Sequence, residues 1–287
     1  EYYMDDSMWD QMRQSMKAMG MSDEQIEETI KMQQAAMGGF QDMAANMMGA
    51  AANMMGAAAN MMGGMAGALS DIMDDDSCFD FAEPSTLSKS YQWAVACGAD
   101  LIHLRADIIN DLTTGNDAED IQYILQRDWG IEGKDDFIEM AESLKKGRHS
   151  TVYAEAAKHL DDEDNEYAED ILDALEAFEE QGLIENKEVP NMLIWDIGRL
   201  INITRFAFDA GYISREGALA YLKDSALLVK ANYKSWKELS IGYQFGRAVW
   251  GGADSAQFEM MIEGMQELLT EEDSPWVTLP FEMELEF

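Results

Sequence analysis

Basic residues are scarce in this chain of 287: 20 Lys and Arg stand against 56 Asp and Glu, a formal net charge of −36. A field of that sign repels nucleic acid and anionic membrane surfaces and favours solubility and basic partners, so neither DNA nor RNA is an expected ligand. The acidic surface is read as solvated rather than as a nucleic-acid mimic. Cysteine is nearly missing. Cys78 and Cys97 make no disulfide framework and fit no metal-ligand spacing, so no metal site is expected and a reducing cytoplasm is the default compartment. Cys97, in the apolar run from Trp93, reads as a small core residue, while Cys78 sits in an acidic stretch that disfavours its thiolate. No basic segment followed by an apolar run stands at Glu1 to Asp6, so no secretory signal is expected, and Met4 is a candidate start.

Catalytic signatures are missing too. The chain has no Gly-x-Ser-x-Gly, phosphate-binding glycine loop, His-Glu-x-x-His or paired-cysteine zinc motif, and no cofactor is expected. Its three histidines, His103, His149 and His159, are scattered and read as surface or satisfied core residues rather than bases. The acidic run at Asp161 lacks the central glycine and terminal glutamate of a calcium loop, and reads instead as a helix N-terminus favoured by the dipole.

Methionine is what the chain has in excess. Residues 1 to 73 hold 17 of the 23. Met4, Met8, Met12, Met16 and Met19 keep helical spacing up to Gly20, and Ser22 with Gln25 forms a capping box for a second helix, so residues 1–36 predict an amphipathic hairpin. Over residues 37–73, Asn-Met-Met-Gly recurs at Asn46, Asn53 and Asn60, which sets Met47, Met48, Met54, Met55, Met61 and Met62 at a seven-residue period. Such a heptad holds one face in register against a neighbour, and its glycines leave the helix dependent on that neighbour. Self-association is the preferred reading and a protein client the next, because Met adapts to many shapes. A bilayer comes last: the uncharged run from Met43 to Leu69 is long enough to span, but its repeated Asn and its Gly and Ala contribute little transfer free energy. Residues 74–86 then read as an acidic linker.

From residue 87 to 287 the helical period persists with no βαβ alternation, so the expected fold is an all-α multi-helix domain. Apolar positions run at helical spacing from Trp93 through Cys97, Leu101 and Leu104 to Ile108. The tail from Phe281 alternates like a strand, but has no sheet to join. The centre of the domain is residues 191 to 252. Pro190 and Gly211 bracket one helix, Ser214 caps the next, and Ser235 with Glu238 forms a capping box for a third. On that third helix Trp236, Tyr243 and Trp250 recur every seven residues and read as a core stripe. On the first, Asp196, Arg199, Asn202, Arg205 and Asp209 share a face, read as solvated, with Asp196–Arg199 an i,i+3 pair contributing ~0.2–0.5 kcal/mol. The sharper alternative is a pocket in which Arg199 and Arg205 fork onto a carboxylate or phosphate.

Several segments in order carry a resemblance: Trp195-Asp196-x-Gly198-Arg199, Asn202-x-x-Arg205, Ser235-Trp236-x-Glu238 and Gly246-Arg247-x-x-Trp250, with Trp129-Gly130-Ile131 and Gly147-Arg148-His149 upstream and Ser274-Pro275-Trp276 downstream. Together they resemble the bacterial family catalogued as domain of unknown function 1266, over roughly Leu87 to Phe281. The Met-rich arm lies outside the resemblance, which implies no reaction.

The expected function is therefore non-catalytic: protein contact or homo-oligomerisation through residues 1–73. The alternative is an enzyme or small-anion-binding domain with Asp196, Arg199, Arg205 and Arg247 around the ligand and Glu238 as base, Arg247 serving equally well as an internal ion-pair donor. A membrane-active or secreted effector is third.

Overall fold

The computed structural model describes residues 77–162, 164–253 and 256–287. The hairpin, the heptad helix and the start of the linker lie outside them. All regular structure among the described residues is helical, as the period predicts, and no helix there is long and apolar enough to cross a membrane.

One helix organises the rest. Helix α7 (Leu193–Asp209) is surrounded by α2 (Ala99–Leu104), α3 (Ala118–Trp129), α4 (Lys134–Lys145), α5 (Ser150–Ala156), α8 (Arg215–Asn232) and α9 (Trp236–Gly251). Of its 17 residues, 13 are buried. A helix surrounded on all sides has no solvent face, so the solvated face expected for Asp196, Asn202 and Arg205 is not there: all three are buried. Glycines let α9 lie close against α7. A Cβ on Gly242 would stand 2.2 Å from the Asn191 carbonyl oxygen, and one on Gly246 2.6 Å from Trp195 Cβ.

The helix starts follow their local chemistry. Ser214 Oγ accepts from Gly217 N and Ser235 Oγ from Glu238 N, satisfying amides that have no intrahelical partner. The Glu238 carboxylate accepts in turn from Lys234 N at 2.8 Å. Gly211 and Gly130 adopt φ +75° and +65° where α7 and α3 end.

Two further expectations are corrected, and the tail joins no sheet, as expected. The run from Trp93 to Ile108 is two helices, α1 (Lys89–Ala96) and α2, broken at Gly98, while Ile108 lies in the following loop. At Gly98 the chain passes so near α7 that a Cβ would meet Ile201 Cγ2 at 3.1 Å. Trp250 ends the α9 stripe on the surface, 51% exposed, whereas Trp236 and Tyr243 are core. The tail from Phe281 keeps its alternation, with Phe281 buried and Glu282 and Glu284 exposed, but its backbone is held by a side chain rather than a strand. Lys230 Nζ donates to the carbonyls of Phe281 and Met283.

The remaining helices, α6 (Ala168–Glu180), α10 (Ala256–Thr270) and α11 (Pro275–Thr278), close the core. Phe178 of α6 packs on Phe245 of α9 at 5.1 Å between ring centroids.

Candidate functional site

Asp196 sits in the first turn of α7 and is fully buried. Gly147, at φ +78°, turns the chain between α4 and α5 so that two successive amides face it. Asp196 Oδ2 accepts from His149 N at 3.0 Å and Ser150 N at 2.7 Å. Oδ1 accepts from Arg199 Nη2 at 2.7 Å and lies 3.1 Å from His149 Nδ1. That nitrogen is also 2.8 Å from Arg199 Nη2, so the imidazole donates to Asp196 in one tautomer and accepts from Arg199 in the other. Burial opposes ionisation of Asp196, yet the His149 bond, the Ser150 amide and the Arg199 charge outweigh it and hold the carboxyl below its ordinary pKa.

Arg199 is held as tightly. Its Nε donates to the Trp195 carbonyl at 2.7 Å, and its guanidinium lies 4.1 Å from the Trp195 ring centroid and 6.0 Å from that of Trp129. The Trp195 ring continues to Tyr243 at 5.3 Å and to Trp250 at 6.2 Å, and Arg247 lies 4.8 Å over Trp250. Two arginines thus flank a pair of tryptophans. Trp195 Nε1 is buried with no hydrogen-bond partner.

Arg205 is elsewhere. Six residues at 3.6 per turn put it about 240° around α7 from Arg199, so the pocket expected to join them does not form. Its Nη2 donates to the carbonyls of Ile108 and Thr113, and its Nε to that of Asp111 at 3.2 Å. Burial lowers its pKa to about 10 against the charges of Asp107, Asp209 and Asp111. Asp209 Oδ2 accepts from Thr114 N and Oγ1, both at 2.7 Å, fixing the same loop. Glu238 is committed to its capping box and is not part of the Asp196 cluster.

The sequence candidates therefore divide into an Asp196–Arg199 ion pair, an Arg205 loop clamp, the Glu238 cap and the Arg247–Trp250 rim. Sequence reasoning missed the role of His149, though Gly147-Arg148-His149 was among the motif segments. The nearest cavity, of about 480 Å³, runs from Ser150 and Thr151 of α5 to Pro190 and Met192, and none of the five charged candidates lines it. Glu238 lines another, of about 630 Å³, beside Asn191 and Ile241.

A family model described as a protein of unknown function, DUF1266, matches residues 124–281, more than half of the chain. Its start falls within α3, so α1, α2 and the loop after them precede it, as does the Met-rich arm. No curated protein and no solved structure matches. With the Trp195–Arg199, Ser235–Glu238 and Ser274–Trp276 motifs all inside the matched range, the chain belongs to the DUF1266 family.

Proposed function

We propose that the protein is non-catalytic and acts by protein contact in the cytoplasm, with a second copy of the chain as the first partner of the arm at residues 1–73. The observation that most supports this is the inward commitment of the motif charges. Both oxygens of Asp196 are taken by His149, Ser150 and Arg199, and Arg205 is closed over by loop carbonyls. General acid–base or nucleophilic work needs a positioned group with a free proton or lone pair facing a cavity, whereas these charges hold helices and loops. The sequence of the heptad of paired methionines adds a second argument, because its glycines make a helix there dependent on a neighbouring one. Native mass by light scattering tests the reading, comparing the full chain with a full-length variant carrying Ser at Met47, Met48, Met54, Met55, Met61 and Met62. A defined oligomer that falls to monomer in the variant is expected; a monomeric wild type would overturn self-association.

A second reading has its own observation: Arg199 and Arg247 flanking Trp195 and Trp250, with Trp195 Nε1 buried and unpartnered, favours a carboxylate or phosphate at that rim. A rise in melting temperature with inorganic phosphate, lost in Arg247→Ala, is its signature. An unchanged melting temperature removes it.

A further inference from the structure

Three potential ligands converge outside the Asp196 cluster. Cys78 lies just before α1, His103 in α2 and Glu267 in α10, and their donor atoms all fall within 4.8 Å of one another. His103 Nε2 and Glu267 Oε2 are 2.6 Å apart. The geometry points to a site for one zinc-type divalent cation, bound by Cys78 Sγ, His103 Nε2 and a Glu267 carboxylate oxygen, with a fourth position left for water.

The surroundings fit that use. The Ser77 hydroxyl bonds to both the N–H and the carbonyl of Phe79, making a tight turn that presents Cys78. The Phe79 ring packs on the His103 imidazole at 4.8 Å between centroids, which restrains its orientation. Gly264 lets that imidazole rest against α10, since a Cβ there would meet His103 Cδ2 at 3.2 Å. Beside the imidazole is a cavity of about 240 Å³, also lined by Asp100, Glu263 and Glu267. Asp100 is buried, and its Oδ2 has no hydrogen-bond partner. Glu271 and Asp273 add negative potential at Cys78. A buried carboxyl oxygen without a partner, lining one cavity with an imidazole and further carboxylates, is an arrangement that a cation completes.

The donor set selects the metal. Sulfur, imidazole nitrogen and one carboxylate suit zinc, whereas calcium and magnesium take oxygen alone. A tetrahedral ion with bonds of about 2.0–2.3 Å sets its ligands roughly 3.3–3.8 Å apart. The trio therefore needs movements on the order of 1 Å, with the His103–Glu267 hydrogen bond opening to admit the ion. Cys78 binds as thiolate and gives its proton to solvent. Because Cys78 and His103 precede residue 124, the site belongs to this chain rather than to the family model. Bound metal would clip the segment that follows the arm onto α2 and α10.

Cobalt(II) is the probe, titrated into the metal-free full chain with absorbance read through the thiolate-to-cobalt charge-transfer and d–d bands. One equivalent should bind with a charge-transfer band and tetrahedral d–d intensity, and zinc should displace it while excess magnesium does not. Cys78→Ser, at an exposed position, should abolish the charge-transfer band. Glu267→Gln should weaken binding by at least the roughly 10- to 100-fold that loss of a supporting group costs. Cobalt uptake without the band, uptake unchanged in Cys78→Ser, or displacement by magnesium would overturn the site and leave only counterion binding by an acidic surface.

Discussion

Trp236 at the start of α9 and Trp276 in α11 stack face to face, with ring centroids 5.7 Å apart and planes 7° from parallel. Each indole also donates across the core, Trp236 Nε1 to the Leu279 carbonyl at 2.9 Å and Trp276 Nε1 to the Ala96 carbonyl at 2.8 Å. Ser274 fixes the turn, its hydroxyl accepting from Trp276 N and donating to the Leu268 carbonyl. Two motif segments that lie 40 residues apart therefore close one aromatic layer around α1. Trp276→Ala should cost about 3–5 kcal/mol through cavity formation and the loss of that stack, read as a lower urea midpoint. A variant within 1 kcal/mol of wild type would show that the stack contributes little.

Gly242 carries a steric prediction. The Asn191 carbonyl that its absent Cβ would strike is backbone, and the same carbonyl accepts from the Tyr233 hydroxyl at 2.8 Å, so neither partner can turn away. Gly242→Ala must separate α9 from the start of α7, at a cost of about 1–3 kcal/mol despite Ala's better helix propensity. Thermal melting decides the sign: a stabilised variant would mean that the two helices part easily.

What could be read from the sequence was what lies within a few residues. The caps at Ser214 and Ser235 and the glycine stop at Gly211 were legible because each closes a hydrogen bond or turn inside four positions. The shared face read for Asp196 and Arg205 does not hold, since nine residues are about two and a half turns and set the two on opposite sides of α7. Nor could period say that both sides are covered, since it orders residues around an axis without counting the elements packed there. Arg205 binds carbonyls 92 to 97 residues away, and Asp196 binds amides 46 and 47 residues away. Cys78, His103 and Glu267 come together across 189 positions, beyond any spacing motif. Trp250 failed as core because the seven-residue stripe runs on past the last helix that covers it.

Asp100 gives a pH dependence. Its Oδ1 accepts from Ser240 Oγ at 2.6 Å and Gln244 Nε2 at 2.8 Å, yet burial outweighs both bonds and pushes its pKa up to about 7 from 3.8. A carboxyl whose folded pKa is raised favours the folded state as the neutral acid. That contribution is full below the unfolded value and is lost as pH rises through about 7. In urea titrations with EDTA present, wild type should lose stability relative to Asp100→Asn between about pH 4 and pH 7, by up to ~1.4 kcal/mol per unit, and then run parallel to it. Parallel curves throughout would place the carboxyl in a wetter setting than the structure gives it.

The central claim is that the Asp196 cluster builds the fold rather than performing chemistry, and Asp196→Asn tests it most directly. Asn replaces an acceptor-only carboxylate with an amide that turns donors toward Arg199 or the two α5 amides, leaving a buried charge or N–H unpaired. Because the folded pKa of Asp196 is lowered, its contribution is present above the ordinary value of 3.8 and is lost as pH falls through the folded value. Chemical unfolding at pH 7 should therefore show Asp196→Asn about 3 kcal/mol less stable than wild type, with the gap closing in strong acid. Equal stability of the two proteins at pH 7 would contradict the account and make Asp196 a group held available for a ligand or a reaction.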